Sequence, residues 1–206
     1  MCGSYFIVTA EQILEIQALL QEIEQRTNIA AIVPTNKVPV LLTDPEDEHK
    51  LIPRLMAWGF PQYRGSGVVI NARSETIEEK PMFREAVRQR CLVPASGFYE
   101  FTGVPGKKTR HALWAPGVPY IYLAGCYSSI TTGAREEQQR FVIATTDANI
   151  HVAPIHSRMP VVLHPHEGLT WLGESFRTLF DRSQLMLSHR LAPRPQEDKG
   201  QQTLFS

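Results

Sequence analysis

The second residue of the chain is a cysteine, and its position gives it chemistry that an internal cysteine lacks. If Met1 is removed, which a small second residue favours, Cys2 carries an amine and a thiol on adjacent atoms. Their ordinary pKa values of about 7.7–8.0 and about 8.5 leave both groups partly nucleophilic at neutral pH. The amine can condense with an aldehyde to an imine, which the thiol can close into a five-membered thiazolidine. The alternative is that Cys2 merely follows the first methionine.

Two titratable residues have sequence contexts suited to proton transfer. Glu100 is flanked by aromatic residues in the segment 96–101. It either faces solvent or lies in a polar pocket, where desolvation would raise its pKa and suit it to shuttling protons. His156 joins two apolar segments next to Arg158 and can give or accept a proton near neutral pH. The alternative for His156 is a structural role in a turn.

Three further groups could bind a polar polymer. Asn71 and Arg73 are two residues apart, so in a strand they face the same side, and an amide with a guanidinium could orient a nucleophile and hold a phosphate. They could equally be a polar surface pair. The segment 58–61, Trp-Gly-Phe-Pro, offers aromatic side chains that we expect to be exposed and able to stack on bases. Core packing is the commoner role of a single tryptophan.

Short strands and few helices must position these residues. A helix is predicted from the N-cap Thr9, with Gln12 completing a capping box, and it ends near residue 28. Another opens at Pro81, and residues 171–187 have a largely helical pattern. Residues 44–50 are predicted to form a charged loop. Strands are predicted over residues 4–8, from 68 to the Asn71 block, 91–101 with an interruption at Pro94, 110–114, 120–127, 140–146 and 160–163.

This order of elements predicts an α+β fold around a twisted sheet, in a single domain over residues 1–192. The composition after Ala192 predicts a disordered tail over residues 193–206. No apolar run is long enough to span a membrane and no signal peptide is recognisable, so we expect a cytoplasmic protein.

Charge and cysteine usage exclude several classes. The formal net charge is zero, so any nucleic-acid binding must use a local groove rather than a global positive field. Three cysteines in unrelated spacing fit neither a zinc motif nor a disulfide framework, and we expect no metal or cofactor. Cys91 and Cys126 lie in apolar runs and are interpreted as small core residues.

Taken in order, the motifs resemble the SRAP family, the SOS response-associated peptidases that shield abasic sites in DNA. The matching segments extend from residue 1 to about Leu172 and are most specific in combination. They are Met1–Gly3, Pro34–Val40, Trp58–Gly59, Asn71–Thr76, Phe83–Arg84, Arg90–Glu100, Thr145–Asn149 and His156–Pro160. The resemblance implies a curved, barrel-like sheet, mixed or antiparallel, with peripheral helices and a positive groove.

The resemblance also implies roles for named residues. Cys2 would form the thiazolidine with an abasic site in single-stranded DNA, and Asn71 would hold its amine or thiol. Glu100 would shuttle protons during ring closure, and His156 would assist opening of the deoxyribose ring. The implied activity is DNA–protein cross-linking, akin to an abasic-site lyase, with thiol peptidase activity on its own chain. The residues implied to contact DNA are Arg73 and Arg158 at phosphates, and Trp58, Gly59, Pro34 and Thr145 along the DNA path.

Several expectations depend on this resemblance. The aminothiol should lie at the mouth of a phosphate-binding cleft, in a monomer associated with the nucleoid. Ser4 stands where the family usually has arginine, which removes one phosphate contact. Gln201–Phe205 resembles the short motif that docks on the bacterial sliding clamp, although an arbitrary five-residue match is the alternative.

Other functions remain open at this level. Class II glutamine amidotransferases also begin Met-Cys-Gly and use the freed cysteine as a nucleophile, but their Asn-Gly pair and substrate-clamping arginine motif are not found here. A self-processing peptidase would have only Met1 to remove. A non-enzymatic DNA-binding module tethered to the clamp would not need Cys2.

Overall fold

The computed structural model describes residues 2–7, 31–104, 107–131 and 137–193. Its strands are β1 (Ser4–Phe6), β2 (Lys37–Asp44), β3 (Asp47–Trp58), β4 (Phe60–Pro61), β5 (Val68–Val69), β6 (Asn71–Arg73), β7 (Arg90–Ala95), β8 (Gly97–Thr102), β9 (Thr109–Trp114), β10 (Ile121–Thr131), β11 (Glu137–Asp147), β12 (Arg158–Pro160), β13 (Val162–Leu163) and β14 (Ser188–Leu191). The helices are α1 (Pro81–Arg84) and α2 (Gly168–Leu172), with 3₁₀ segments at Ser74–Thr76, Ala86–Arg88, Pro165–Glu167 and Glu174–Leu179.

Several predictions fall outside the described residues. The helix predicted from Thr9 lies there, as does nearly all of the predicted tail with its Gln201–Phe205 motif. Clamp docking, the monomeric state and nucleoid association stay predictions. Among the described residues, no helix is both long enough and apolar enough to cross a membrane.

Five strands close into a ring. Strand β2 pairs antiparallel with β3 and β7, β7 pairs with β10, and β10 pairs with β11. A parallel pairing of β11 with β3 completes the circuit. Strands β6 and β12 add to β11, and β13 adds to β10. The expected curved, barrel-like mixed sheet with peripheral helices is confirmed.

A second sheet, in the order β1-β8-β9-β14, packs against this ring. The chain passes from ring to sheet at Ser96, so the predicted strand 91–101 is two strands, and Pro94 lies inside β7 opposite Tyr122 rather than interrupting it. Gly97 permits β8 to lie close to Leu113 and Phe6 at this point. A side chain at position 97 would collide with the Leu113 carbonyl oxygen and the Phe6 ring.

Strand residues alternate between two hydrophobic cores. In β11, Phe141 and Ile143 face the core between ring and second sheet, whereas Val142 and Ala144 face the core beneath the helices. Because both faces are buried, the strands appear in sequence as continuous apolar runs. The same alternation divides the cysteines, with Cys91 in the first core and Cys126 in the second. Both are buried, as predicted.

Two predicted elements are wrong. The charged segment 44–50 is the tip of a β2–β3 hairpin rather than a loop, since Asp44 pairs with Asp47 and each carboxylate accepts a backbone N–H two residues later. Residues 171–187 are not largely helical, because α2 ends at Leu172 and only a 3₁₀ segment follows. These irregular turns bury Phe176, Leu179 and Leu185. The sequence spacing of these apolar residues resembles that of a helix.

We expect the fold to lose stability in alkali because its described thiols are buried. Burial raises the pKa of Cys2 and Cys91 well above the usual range, and that of Cys126 to about 12. A raised pKa means that the folded state holds its proton more tightly. The resulting stability is full below an unfolded pKa of about 8.5 and is lost as pH rises toward 12.

Urea denaturation between pH 7 and 11 tests this expectation. The free energy of unfolding should be flat to about pH 8 and then fall, with each buried thiol contributing up to about 1.4 kcal/mol per pH unit. Cys126→Ala should reduce that slope whatever its effect on stability at neutral pH. An unchanged slope would contradict the assignment.

Candidate active site

Strand β1 brings the start of the chain to Glu100. Ser4 pairs with Tyr99, and continuing the register one step places Gly3 opposite Glu100. A bridge between Tyr5 and Ile32 holds the other edge of β1. The Cys2 carbonyl oxygen accepts a hydrogen bond from Asn71 Nδ2 at 3.0 Å. Residue 2 is thus held by a residue 69 positions away in sequence.

The Cys2 side chain is fully buried, with 0% of its surface exposed, and belongs to the core between ring and second sheet. Its Sγ lies 3.6 Å from the Ser4 carbonyl oxygen, to which the thiol donates. Burial first, and then the negative charge of Glu100, raise the pKa of this thiol far above its usual range. The expectation of a thiol at the mouth of a cleft is therefore wrong for the chain that retains Met1.

Glu100 lies in a pocket rather than on the surface. It is 1% exposed, and burial raises its pKa, an effect opposed in part by the nearby charge of His156. Of the two alternatives that the sequence left open, the pocket is correct. A buried carboxyl group with a raised pKa holds its proton closer to neutrality, as proton transfer requires.

Asn71 and Arg73 lie on β6 and face the same side, as their spacing predicts. Strand β6 runs parallel to β11, with Asn71 opposite Ile143 and Arg73 opposite Thr145. Asn71 Oδ1 is buried, and it accepts no hydrogen bond from any described residue. Because buried polar atoms are normally paired, Oδ1 is available to accept an N–H close to Cys2. Arg73 is exposed.

His156 ends the connection from β11 to β12. Its Nδ1 lies 2.9 Å from the backbone nitrogen of Arg158 and 3.1 Å from the Arg158 carbonyl oxygen, so that it accepts from the first or donates to the second according to the tautomer. Asn149 anchors the connection by donating from Nδ2 to the carbonyl oxygens of Arg182 and Leu185. His156 is half-buried, and its charge is felt at Glu100.

The Arg158 guanidinium is already bound by the protein. It forms a bidentate pair with Glu75, with N–O distances of 2.7 and 2.9 Å, and contacts Asp147 Oδ1 at 2.5 Å. It also donates to the Thr145 carbonyl oxygen at 2.8 Å, and its side chain is 12% exposed. These contacts do not support the predicted role of a free phosphate ligand.

Several residues predicted to line a DNA path are buried. Trp58 is 0% exposed, stacks on Phe141 and donates from Nε1 to the Ile70 carbonyl oxygen, so its predicted exposure is wrong. Phe60 is also in the core. Thr145 is fully buried, with its hydroxyl 3.4 Å from the Ala72 carbonyl oxygen. Their side chains cannot contact DNA in this structure.

The two other predicted path residues differ from these. Pro34 is half-buried at the surface. Gly59 is buried in the left-handed region, with φ of 109°, where a side chain would press on Val68. Any contact it makes with DNA is through the backbone.

Sequence reasoning missed the exposed aromatic of this region. Tyr63 lies in the turn between β4 and β5, with 80% of its surface exposed and the exposed Arg64 beside it. The signal was present in the sequence, because an aromatic inside a short Gly- and Ser-containing turn has no partner strand to pack against.

The described residues contain no group of three His, Cys, Asp or Glu side chains arranged to hold a metal ion. The site consists instead of a buried thiol, an amide, a carboxyl group and an imidazole, drawn from the segment that leads into β1, from β6 and β8, and from the β11–β12 connection. Such a set can transfer protons to and from the nitrogen and oxygen atoms attached to a carbonyl carbon.

A model of the SOS response associated peptidase family matches residues 1–197. The chain belongs to the SRAP family. It is similar to Abasic site processing protein YoaM of Bacillus subtilis, with 39% identity over 102 residues, which cover 48% of this chain and 45% of YoaM. It is also similar to Abasic site processing protein YedK of Escherichia coli, with 30% identity over 144 residues, covering 68% of this chain and 63% of YedK.

The fold of this SRAP chain has solved counterparts. A protein from Bacteroides thetaiotaomicron superposes with a TM-score of 0.73 at 22% identity, covering 93% of this chain and 92% of that one. A Bordetella bronchiseptica protein gives a TM-score of 0.71 at 19% identity. The alignment to YoaM spans less than half of the length of that relative. The matches therefore show the family and the fold of this chain, but not a shared activity.

Proposed function

We propose that this protein processes abasic sites in single-stranded DNA, and that Cys2 forms a covalent bond with them once Met1 has been removed. The observation that carries the proposal is the placement of Asn71 and Glu100 against residue 2. The names of the relatives YoaM and YedK support abasic DNA as the substrate. The ring-opened sugar of an abasic site carries an aldehyde, the electrophile that an aminothiol captures.

The proposed reaction balances without a cofactor. The Cys2 amine attacks the sugar aldehyde to give a carbinolamine, which loses water to form an imine. The thiol then adds across the C=N bond, sulfur to carbon and proton to nitrogen, and closes the thiazolidine. The net change is the loss of one water molecule.

The neighbouring residues suit these steps. Glu100 can take a proton from the attacking amine and return it to the departing hydroxyl, a transfer that its raised pKa favours. Asn71 Oδ1 can accept an N–H from the Cys2 amine and aim its lone pair. His156, whose ring lies close enough to act electrostatically on Glu100, can give a proton to the ring oxygen of the closed sugar.

The state of the thiol distinguishes this reaction from thiol hydrolysis. A peptidase or amidotransferase needs a thiolate in its first step. In the chain that retains Met1, burial raises the pKa of the Cys2 thiol and keeps it protonated at neutral pH. In the proposed order the amine reacts first, and the sulfur is needed only for an intramolecular closure.

The burial of Cys2 also sets a condition for the proposed reaction. In the chain that retains Met1 the Cys2 nitrogen is a peptide nitrogen, and the Cys2 side chain is enclosed in the core. The proposal therefore requires that removal of Met1 and the arrival of DNA give the aldehyde access to residue 2. Thiol labelling of the Met1-free protein with and without DNA would report that access.

DNA contacts are assigned to exposed groups. We propose that Arg73 pairs with a phosphate next to the lesion, since it lies two residues from Asn71 on the same side of β6. We propose that Tyr63, with Arg64 beside it, stacks on a neighbouring base. With a net charge of zero, the binding free energy should depend on these few local contacts.

The proposed function predicts that only an aldehyde gives a covalent complex. Met1-free protein should form a band that survives denaturing electrophoresis with single-stranded DNA containing one abasic site. Matched oligonucleotides with an intact base, or with a tetrahydrofuran analogue that lacks the aldehyde, should give none. A band of equal yield with the analogue, or no band with the abasic strand, would overturn the proposal.

A further inference from the structure

Resting on the proposed function, we infer that Tyr5 is a further residue of the site, and that its hydroxyl donates a hydrogen bond to the Cys2 sulfur as the thiazolidine closes. Glu100 and Asn71 act on the amine in the proposed reaction. Tyr5 would serve the later step, in which the sulfur reacts.

Tyr5 is fixed in the interior by its backbone and by its aromatic side chain. It pairs with Phe98 of β8 on one edge, and on the other with Ile32 through two backbone hydrogen bonds of 3.1 and 2.8 Å. Its side chain is fully buried in the core between ring and second sheet, with its centroid 5.5 Å from that of Trp58. The hydroxyl therefore points into the interior and cannot turn toward solvent.

The Tyr5 hydroxyl oxygen is buried and makes no hydrogen bond to any described residue. Burying a hydroxyl without a partner is unfavourable, and phenylalanine would fill nearly the same volume without that cost. A buried polar group that lacks a partner requires an explanation. One explanation is a partner that needs the hydrogen bond only during the reaction.

The Cys2 sulfur lies within electrostatic reach of this hydroxyl, and both side chains belong to the same core. Burial first, then the charge of Cys2 and then that of Cys91, raise the pKa of Tyr5, so the hydroxyl keeps its proton and can donate it to a hydrogen bond. Of the two thiols, Cys2 has the larger effect. The Cys91 sulfur packs over Gly125, where an added side chain would collide with it.

Ring closure places negative charge on the Cys2 sulfur. Burial and the charge of Glu100 raise the pKa of this thiol and so oppose the loss of its proton. In the closure the sulfur bonds to the imine carbon, the C=N bond becomes a single bond, and the thiol proton ends on the nitrogen. Tyr5 keeps its own proton throughout, and its hydrogen bond stabilises the charge that develops on sulfur.

The test compares Tyr5→Phe with Tyr122→Phe in Met1-free protein. Tyr122 is also buried, but in the core beneath the helices. The pKa of the Cys2 thiol is measured from the pH dependence of its alkylation by iodoacetamide, mapped to the N-terminal peptide. Ring closure is followed on abasic DNA, where borohydride reduces the imine but not the thiazolidine and so separates the two. Thermal unfolding reports stability.

Both variants leave the other titratable groups near the thiol in place. These groups are the N-terminal amine, Glu100 on β8, His156, which acts on Glu100, and Cys91 on β7. A change of the thiol pKa in Tyr5→Phe alone therefore reports the loss of the hydroxyl.

We expect Tyr5→Phe to unfold at or above the parental temperature, since the lost hydroxyl has no partner among the described residues. The pKa of the Cys2 thiol should rise by about 1 to 2, and ring closure should slow about 10- to 100-fold, the scale of one hydrogen bond to a charged group. Imine that borohydride can trap should accumulate as a result. Tyr122→Phe should match the parent in both the thiol pKa and the rate of closure.

Any of three results would overturn the inference. The first is a Cys2 thiol pKa in Tyr5→Phe equal to that of the parent. The second is a parental amount of trapped imine. The third is an unfolding temperature of Tyr5→Phe several degrees below the parental value, which would identify a structural partner of the hydroxyl. Absence of cross-linking by the parent would refute the proposed function instead, and the thiol pKa would still report whether Tyr5 meets Cys2.

Discussion

Cys2→Ala will abolish the complex that survives denaturation. After removal of the methionine, this variant keeps an N-terminal amine and can still form an imine, but no sulfur is present to close the ring. Imines hydrolyse on denaturation, so a band should return only when borohydride reduces the imine first. Cys2→Ser should give an intermediate result, because oxygen can close only an oxazolidine of lower stability.

The control for Cys2→Ala is its non-covalent affinity for DNA. The Cys2 side chain is buried, so its loss should leave binding to lesion-free DNA close to the parental value. A non-enzymatic DNA-binding module would form no complex that survives denaturation, and Cys2→Ala would bind abasic DNA like the parent under native conditions. A complex that survives denaturation with unchanged yield in Cys2→Ala would instead show attachment at another residue. That outcome would remove Cys2 from the chemistry.

Glu100→Gln will slow cross-linking by about 10²- to 10⁴-fold, the usual contribution of a positioned acid–base group. Glutamine preserves shape and hydrogen bonding but cannot transfer the proton. Affinity for lesion-free DNA should be nearly unchanged, since Glu100 is buried. Single-turnover kinetics on abasic DNA measure the effect, with Glu78→Gln as the exposed carboxylate control. A parental rate in Glu100→Gln would remove the proton-transfer role.

The same substitution should stabilise the fold above acidic pH. Burial raises the pKa of Glu100, so the folded state binds its proton more tightly than the unfolded chain. Stability from this group is full below about pH 4.3, the unfolded value, and is lost as pH rises through the folded pKa. The free energy of unfolding of Glu100→Gln, relative to the parent, should therefore rise between pH 4 and 7. A pH-independent difference would contradict the assigned shift.

The sequence revealed the site as a set of motifs, but not their mutual placement. The cysteine after Met1, the Asn71 block and the Gly97–Glu100 segment were recognisable from residue types and order. Whether Glu100 faced a pocket or solvent could not be decided, because a strand alternates in the same way in both cases. The decision depends on which face meets the ring, and that is set by pairings between distant segments.

Burial of Trp58 was unpredictable for a related reason. Tryptophan beside glycine suggested an exposed aromatic, yet the parallel pairing of β3 with β11 places Trp58 against Phe141 in the core. A parallel contact between residues so far apart in sequence has no local signal. The hairpin at residues 44–50 was missed because its charged residues resemble those of a loop. Two of these charges stabilise the turn instead, since the Asp44 and Asp47 carboxylates each accept a hydrogen bond from a backbone N–H group two residues later.

The enclosure of Cys2 is the largest departure from the sequence-based expectation. Its neighbours come from β6 and β8, and nothing in the first few residues indicates that they will be covered. The contacts nevertheless place an amide and a carboxyl group at the residue that the motif had identified.

The most direct test is the intact mass of the product of Met1-free protein and abasic single-stranded DNA, followed by peptide mapping. A thiazolidine at residue 2 predicts a mass equal to the sum of the two reactants minus one water, located on the N-terminal peptide and lacking a free amine. Attachment to a different peptide, or the same adduct on protein that retains Met1, would contradict the proposed chemistry.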